Sequence, residues 1–133
     1  MSNHELLNSY MLYIHPPLAI IGYISIFLFA FFLFRHGKNE KKIVQNSGIA
    51  AWIFTLLGLA TGMVWAQLAW GNYWSWDPKE TLTLTLFIEL SFAEISYLEK
   101  KTKLAKLLAI LACVLTIITW SSSFIMTGLH SFV

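Results

Sequence analysis

Residues 70–80 hold the chain's densest chemistry. Trp70, Tyr73, Trp74 and Trp76 put three of the six tryptophans and a tyrosine within seven residues, more flat apolar surface than a connection between two elements needs. Such surface is taken up either by a planar ligand or by the belt where hydrocarbon meets headgroups, in which Trp and Tyr collect. The following residues spell a helix start: Asp77 as N-cap, Pro78 at the first helical position, and Glu80 at the third, able to reach back as in a capping box. Lys79 faces the positive end of that helix's dipole. It therefore calls for an anion beside it, which Asp77, Glu80 or a ligand carboxylate could supply. His15 and His130 lie at opposite ends of the chain, yet each terminates an apolar run on the side of this aromatic stretch. Two neutral imidazoles and a wall of indoles that excludes water form a donor set suited to haem iron, whereas zinc normally takes three or four ligands. The competing role for each histidine is a hydrogen-bonded residue at a membrane boundary, and His4 could replace His15 on geometry alone.

The elements that must position these groups are membrane helices. The chain has 133 residues, 57% hydrophobic and 12% charged, well below the roughly 25% charged of soluble domains. We expect an all-α polytopic membrane protein, one domain over 1–133. Four transmembrane helices at about 16–34, 45–69, 78–98 and 107–127 would carry an external tryptophan-rich loop between the second and third. Residues 1–14 have helical spacing at Leu7, Tyr10, Met11 and Ile14 and suit a segment lying on the membrane surface. His15 precedes two prolines, which predicts a position just outside the helix that Pro17 begins. No secretory signal is expected at the N-terminus.

Eight of the nine Lys and Arg residues fall in two clusters, at 35–42 and 100–106. By the positive-inside rule both clusters are cytoplasmic, which puts the termini, the tryptophan loop, His15 and His130 on the extracytoplasmic side. The net charge of +2 reads as a topology signal, and no nucleic-acid partner is expected. Gly58 and Gly62 permit close helix approach. Glu89 and Glu94 lie inside the third span, where a carboxylate should face protein and not lipid; a proton path, a partner contact and a packing role stay open for both. Cys113 is alone in an apolar run, so any thiol redox chemistry belongs to another protein.

The stretch from Trp70 to Glu80, His15-Pro16-Pro17-Leu18 with Gly22-Tyr23, and Gly128-Leu129-His130-Ser131-Phe132 resemble, in order, the signature segments of the membrane haem-handling proteins of cytochrome c maturation. These are the CcmF and CcsA types, with CcmC related. The resemblance implies haem b at the outer face, with His15 and His130 as axial ligands of its iron and with Trp70, Tyr73, Trp74, Trp76, Asp77 and Lys79 against it. It implies presentation of that haem to the CxxCH motif of apocytochrome c, as a subunit of a holocytochrome c synthetase. Other maturation subunits and a haem carrier or thiol reductant are the expected partners. A haem-transfer chaperone without ligation and a structural subunit of a membrane complex are the alternatives. The chain departs from the family in having no histidine within a span; the first such position falls at Ile95. It resembles the family's core module alone.

Overall fold

The computed structural model describes residues 3–35, 41–76 and 78–125, with side chains except at 3–13, 15, 69, 70 and 123–125. Four helices follow one another: α1 (Asn3–Arg35), α2 (Lys41–Trp70), α3 (Pro78–Leu98) and α4 (Thr102–Ile125). Each contains a stretch long and apolar enough to cross a membrane: Pro16–Arg35, Lys41–Leu68, Pro78–Leu98 and Thr102–Ser122. There is no strand among the described residues, and the protein is an all-helical integral membrane protein.

α1 corrects one expectation. The helix runs unbroken from Asn3 through His15, Pro16 and Pro17 to Arg35, so residues 3–14 are not a separate surface segment and His15 is not outside the helix. Proline's fixed φ is compatible with a helix; what it costs is the N–H and room for the carbonyl four residues back. The membrane-crossing stretch starts at Pro16 itself. The carbonyls of Leu12 and Tyr13, which lose their donors, therefore fall at the edge of the apolar span, where water can reach a helix. The prolines mark where the membrane begins along α1, not where the helix does.

Packing follows from buried side chains, small on α2 and α4 and larger on α1 and α3, at alternating three- and four-residue steps. Buried positions are Ala19, Gly22, Ile26, Phe29 and Leu33 on α1, and Val44, Gly48, Ala51, Thr55 and Gly58 on α2. On α3 they are Leu86, Leu90, Ala93 and Tyr97, and on α4 Ala105, Ala109, Ala112, Thr116 and Thr119. That 3.5-residue repeat is the seam of left-handed helix packing. α1 lies mainly on α2 and α3 mainly on α4, and the two hairpins meet along α1 with α4 and α2 with α3. The outward faces carry large apolar residues such as Ile24, Phe31, Phe92 and Leu107, as lipid contact requires.

The closest approach is between α1 and α2. A Cβ on Gly22 would sit 3.3 Å from the backbone of Phe54 and Thr55, and one on Gly58 would sit 3.4 Å from the Cα of Ala19. The expected close packing at Gly58 is present, with Ala19 as its partner. α2 and α3 are tied in the basic half of the bundle. There the Trp52 indole donates to the Ser91 hydroxyl at 2.8 Å and its ring lies 5.2 Å from that of Phe87. Both membrane carboxylates face protein. Glu94 lies over Gly48, its oxygen 2.8 Å from where a Cβ would stand, and Glu89 is buried with neither oxygen hydrogen-bonded among the described residues.

Filling the α1–α2 contact should be felt by the whole bundle. Gly22→Leu should destabilise by about 1–3 kcal/mol through overpacking against backbone that cannot yield. Ile20→Leu, on a half-exposed outward position, should change stability by less than about 0.5 kcal/mol. Unfolding of the detergent-solubilised protein by a denaturing detergent measures both.

Candidate functional site

The aromatic stretch is the connection between α2 and α3, at the end of the bundle opposite the lysine-rich turns. α2 stops because Gly71 takes a left-handed conformation, φ 81, and donates its N–H to the Gln67 carbonyl at 2.9 Å, the usual glycine close of a helix. Asn72 and Tyr73 are exposed, Trp74 turns partly inward, and Trp76 points out with 66% of its surface accessible.

Glu80, in the first turn of α3, holds this connection in shape. Its Oε2 accepts the N–H of Ser75 at 2.7 Å and that of Trp76 at 2.9 Å. Glu80 therefore does reach back across the start of α3, to the two residues ahead of Asp77, which itself lies outside the described residues. Trp76 has φ 58, a left-handed conformation that costs a side-chain-bearing residue roughly 1–2 kcal/mol. That turn aims two consecutive N–H groups at one carboxylate, and charge-assisted hydrogen bonds offset the cost. The outcome is an indole held away from the bundle: Trp76 meets Trp74 edge to face, ring centroids 5.3 Å apart at 90°.

Beneath the connection α1, α2 and α3 enclose a cavity of about 60 Å³, lined among others by Tyr23, Thr55, Gly58, Trp74, Lys79 and Glu80. Lys79 is buried, 5% exposed, and shares this cavity with Trp74. The Thr55 hydroxyl and the Trp74 indole N–H have no hydrogen-bond partner among the described residues. The space admits a few waters and is far too small for a macrocycle. The exposed aromatic surface of the connection is instead that of Tyr73 and Trp76.

Of the residues expected to form the site, the structure brings together Trp74, Trp76 and Lys79, with Tyr73 exposed beside them. Trp70 closes α2 and His15 lies within α1, but their side chains are outside the described residues, as are Asp77 and His130 altogether. Ile95, where relatives are expected to place an intramembrane histidine, is half-exposed on α3. Tyr23, part of a segment that carries the family resemblance, lines the cavity together with Thr55 and Gly58, which reasoning from the sequence did not connect with the site. Only tertiary packing brings them under the loop.

The family described as Cytochrome C assembly protein matches residues 2–130. The cytochrome c biogenesis protein CcsA of Chlamydomonas reinhardtii is 31% identical over 147 residues, covering 95% of this chain and 41% of that protein. The cytochrome c-type biogenesis protein CycK of Bradyrhizobium diazoefficiens is 37% identical over 79 residues, 53% of this chain and 12% of its own length. The cytochrome c-type biogenesis protein CcmF of Escherichia coli is 38% identical over 74 residues, 50% of this chain and 11% of its own. The chain thus spans less than half the length of each of these relatives. No solved structure matches it.

The Glu80 clamp yields a direct test. Glu80→Ala should release the Ser75 and Trp76 amides and speed their hydrogen exchange by roughly ten- to a hundredfold, the loss expected for hydrogen bonds to a charged acceptor. Glu99→Ala, in the opposite turn, should leave both amides as they are.

Proposed function

The chain belongs to the cytochrome c assembly protein family, and from that premise we propose that it binds haem b on the tryptophan-rich connection and presents it for covalent attachment to apocytochrome c. The observation that carries this reading is Trp76. A strained left-handed backbone, clamped by Glu80, keeps a large apolar ring exposed beside Tyr73, an arrangement with little value to the fold and much to a planar apolar ligand. In this reading Trp76 and Tyr73 offer exposed rings to the macrocycle, Trp74 backs Trp76 edge to face, and together with Trp70 they exclude water from one side. Asp77 is proposed to lie against the ligand as the resemblance implies, while Lys79, buried in the cavity beneath the connection, supports the loop from below. His15 and His130 are the axial ligands.

When bound, haem supplies the vinyl carbons to which the two thiols of a CxxCH motif add. The protein's own contribution is position and exclusion of water: it holds one reactant in a fixed orientation at the membrane surface, where the other arrives, and so removes much of the entropic cost of bringing the two together. The basic turns lie on the cytoplasmic side in this proposal, which places the connection on the extracytoplasmic side. The proposed partners are further maturation subunits and a haem carrier or thiol reductant.

Spectra of the purified protein and its variants test the reading. His15→Gly and His130→Gly should each retain haem weakly, with an altered Soret band partly restored by added imidazole. Trp76→Ala should weaken haem retention by roughly three- to tenfold without imidazole rescue, because lost ring contact cannot be replaced by a diffusing ligand. His36→Gly should do neither. Wild-type haem content and spectrum in both glycine variants would remove the axial assignment.

A further inference from the structure

We propose that the crevice between the start of α2 and the turn joining α3 to α4 is a binding site for the phosphate of an anionic phospholipid. The crevice, of about 420 Å³, is lined by Lys41, Gln45, Tyr97, Leu98, Lys100 and Thr102. Lys41 and Lys100 reach it from different connections, so the site exists only in the folded bundle. Lys100 has φ 63, the left-handed position that ends α3 and that glycine occupies at least cost. A lysine there puts its charge at the crevice in spite of backbone strain. An adjoining hollow adds Lys101, Lys103 and Lys106.

Among the described residues the crevice is lined by two lysines and by no acid. Glu99 at this end has its carboxylate 3.5 Å from the Lys101 ammonium, and Glu94 lies one turn deeper over Gly48, while Arg35, Lys41, Lys42, Lys100 and Lys103 are exposed. The first turns of α2 and α4 contain no acid either, where a helix favours negative charge. An anion from outside the chain completes this arrangement.

Depth selects which anion. The membrane-crossing stretches end at Arg35 and Leu98 and begin at Lys41 and Thr102, so the crevice lies at the level of lipid phosphates. Below it Ile49 and Ile95, on the two flanking helices, are half-exposed and offer acyl chains an apolar surface. A basic hollow between membrane helices at headgroup level, continuous with an apolar flank, fits a phospholipid better than a free phosphate. This site is independent of the haem reading.

Native mass spectrometry of the purified full chain, titrated with phosphatidylglycerol, phosphatidylcholine or sodium phosphate, decides it. Phosphatidylglycerol should give a saturable one-to-one adduct that phosphatidylcholine does not. The double variant Lys41→Gln/Lys100→Gln should weaken that adduct by roughly tenfold. Lys103→Gln/Lys106→Gln, which removes equal charge outside the crevice, should weaken it by less than roughly threefold. Equal loss in both pairs would reduce the crevice to a diffuse charged surface and overturn the proposal. So would displacement of the lipid by inorganic phosphate, or equal binding of both lipids. The lipid selectivity of the wild-type chain tests the site even if the double variant does not fold.

Discussion

Everything in this molecule depends on how closely helices can approach in a solvent that does not push them together. Hydrocarbon is as apolar as leucine, so the hydrophobic effect gives no reason for one membrane helix to prefer another; contact area and close backbone approach must supply it. The chain meets that condition with glycine, alanine and threonine along the facing seams. Gly22 against Phe54 and Thr55, and Gly58 against Ala19, mark where backbone meets backbone. The hydroxyls of Thr116, Thr119 and Ser122 are satisfied by carbonyls of their own helix, so the seam of α4 carries no stranded donor. With α1 and α2 locked and α4 pressed on α3, the ends of α2 and α3 are fixed relative to each other. The aromatic connection between them is held at both ends.

That connection is built against local preference, which gives it functional meaning. A tryptophan in a left-handed conformation is stabilised neither by its own backbone nor by burial; Glu80 holds it through two amide hydrogen bonds. The small cavity below, with an indole N–H and a threonine hydroxyl that have no partners among the described residues, leaves the underside of the loop less tightly packed than the seams. The upper side is where flat apolar surface is on offer. A loop that is rigid in backbone and exposed in side chain is the arrangement expected of a recognition surface supported by a scaffold.

Much of this was legible from residue types. Spans of suitable length, the glycine that stops α2, the helix start at Pro78 and the reach of Glu80 all follow from local rules that act within a few residues. Where local rules meet competing ones, reading from the sequence fell short. His15-Pro16-Pro17 looked like a helix boundary because proline disfavours helical geometry in the residue before it. In the structure the helix continues, since those residues fall where water can satisfy the freed carbonyls. The left-handed Trp76 had no signal at all, because that conformation is read from glycine or asparagine. The cavity residues Thr55 and Gly58 could not be assigned to the site, for their proximity to Trp74 and Lys79 arises from packing between separate helices. What the sequence did carry unaided was the chemical character of the connection, four aromatic rings and a capped helix, which no rule of membrane packing requires.

The central claim is that this connection is an extracytoplasmic haem surface. The most direct measurement is modification of a single cysteine placed at Asn72, in a chain with Cys113→Ser, by a membrane-impermeant thiol reagent in intact cells grown with and without haem synthesis. The account predicts that Asn72→Cys reacts in cells lacking haem and is protected in cells that make it, while Lys101→Cys is shielded in both. Reaction at position 101 but not at 72 would contradict the orientation, and equal reaction at position 72 in both cell types would contradict haem binding on this surface.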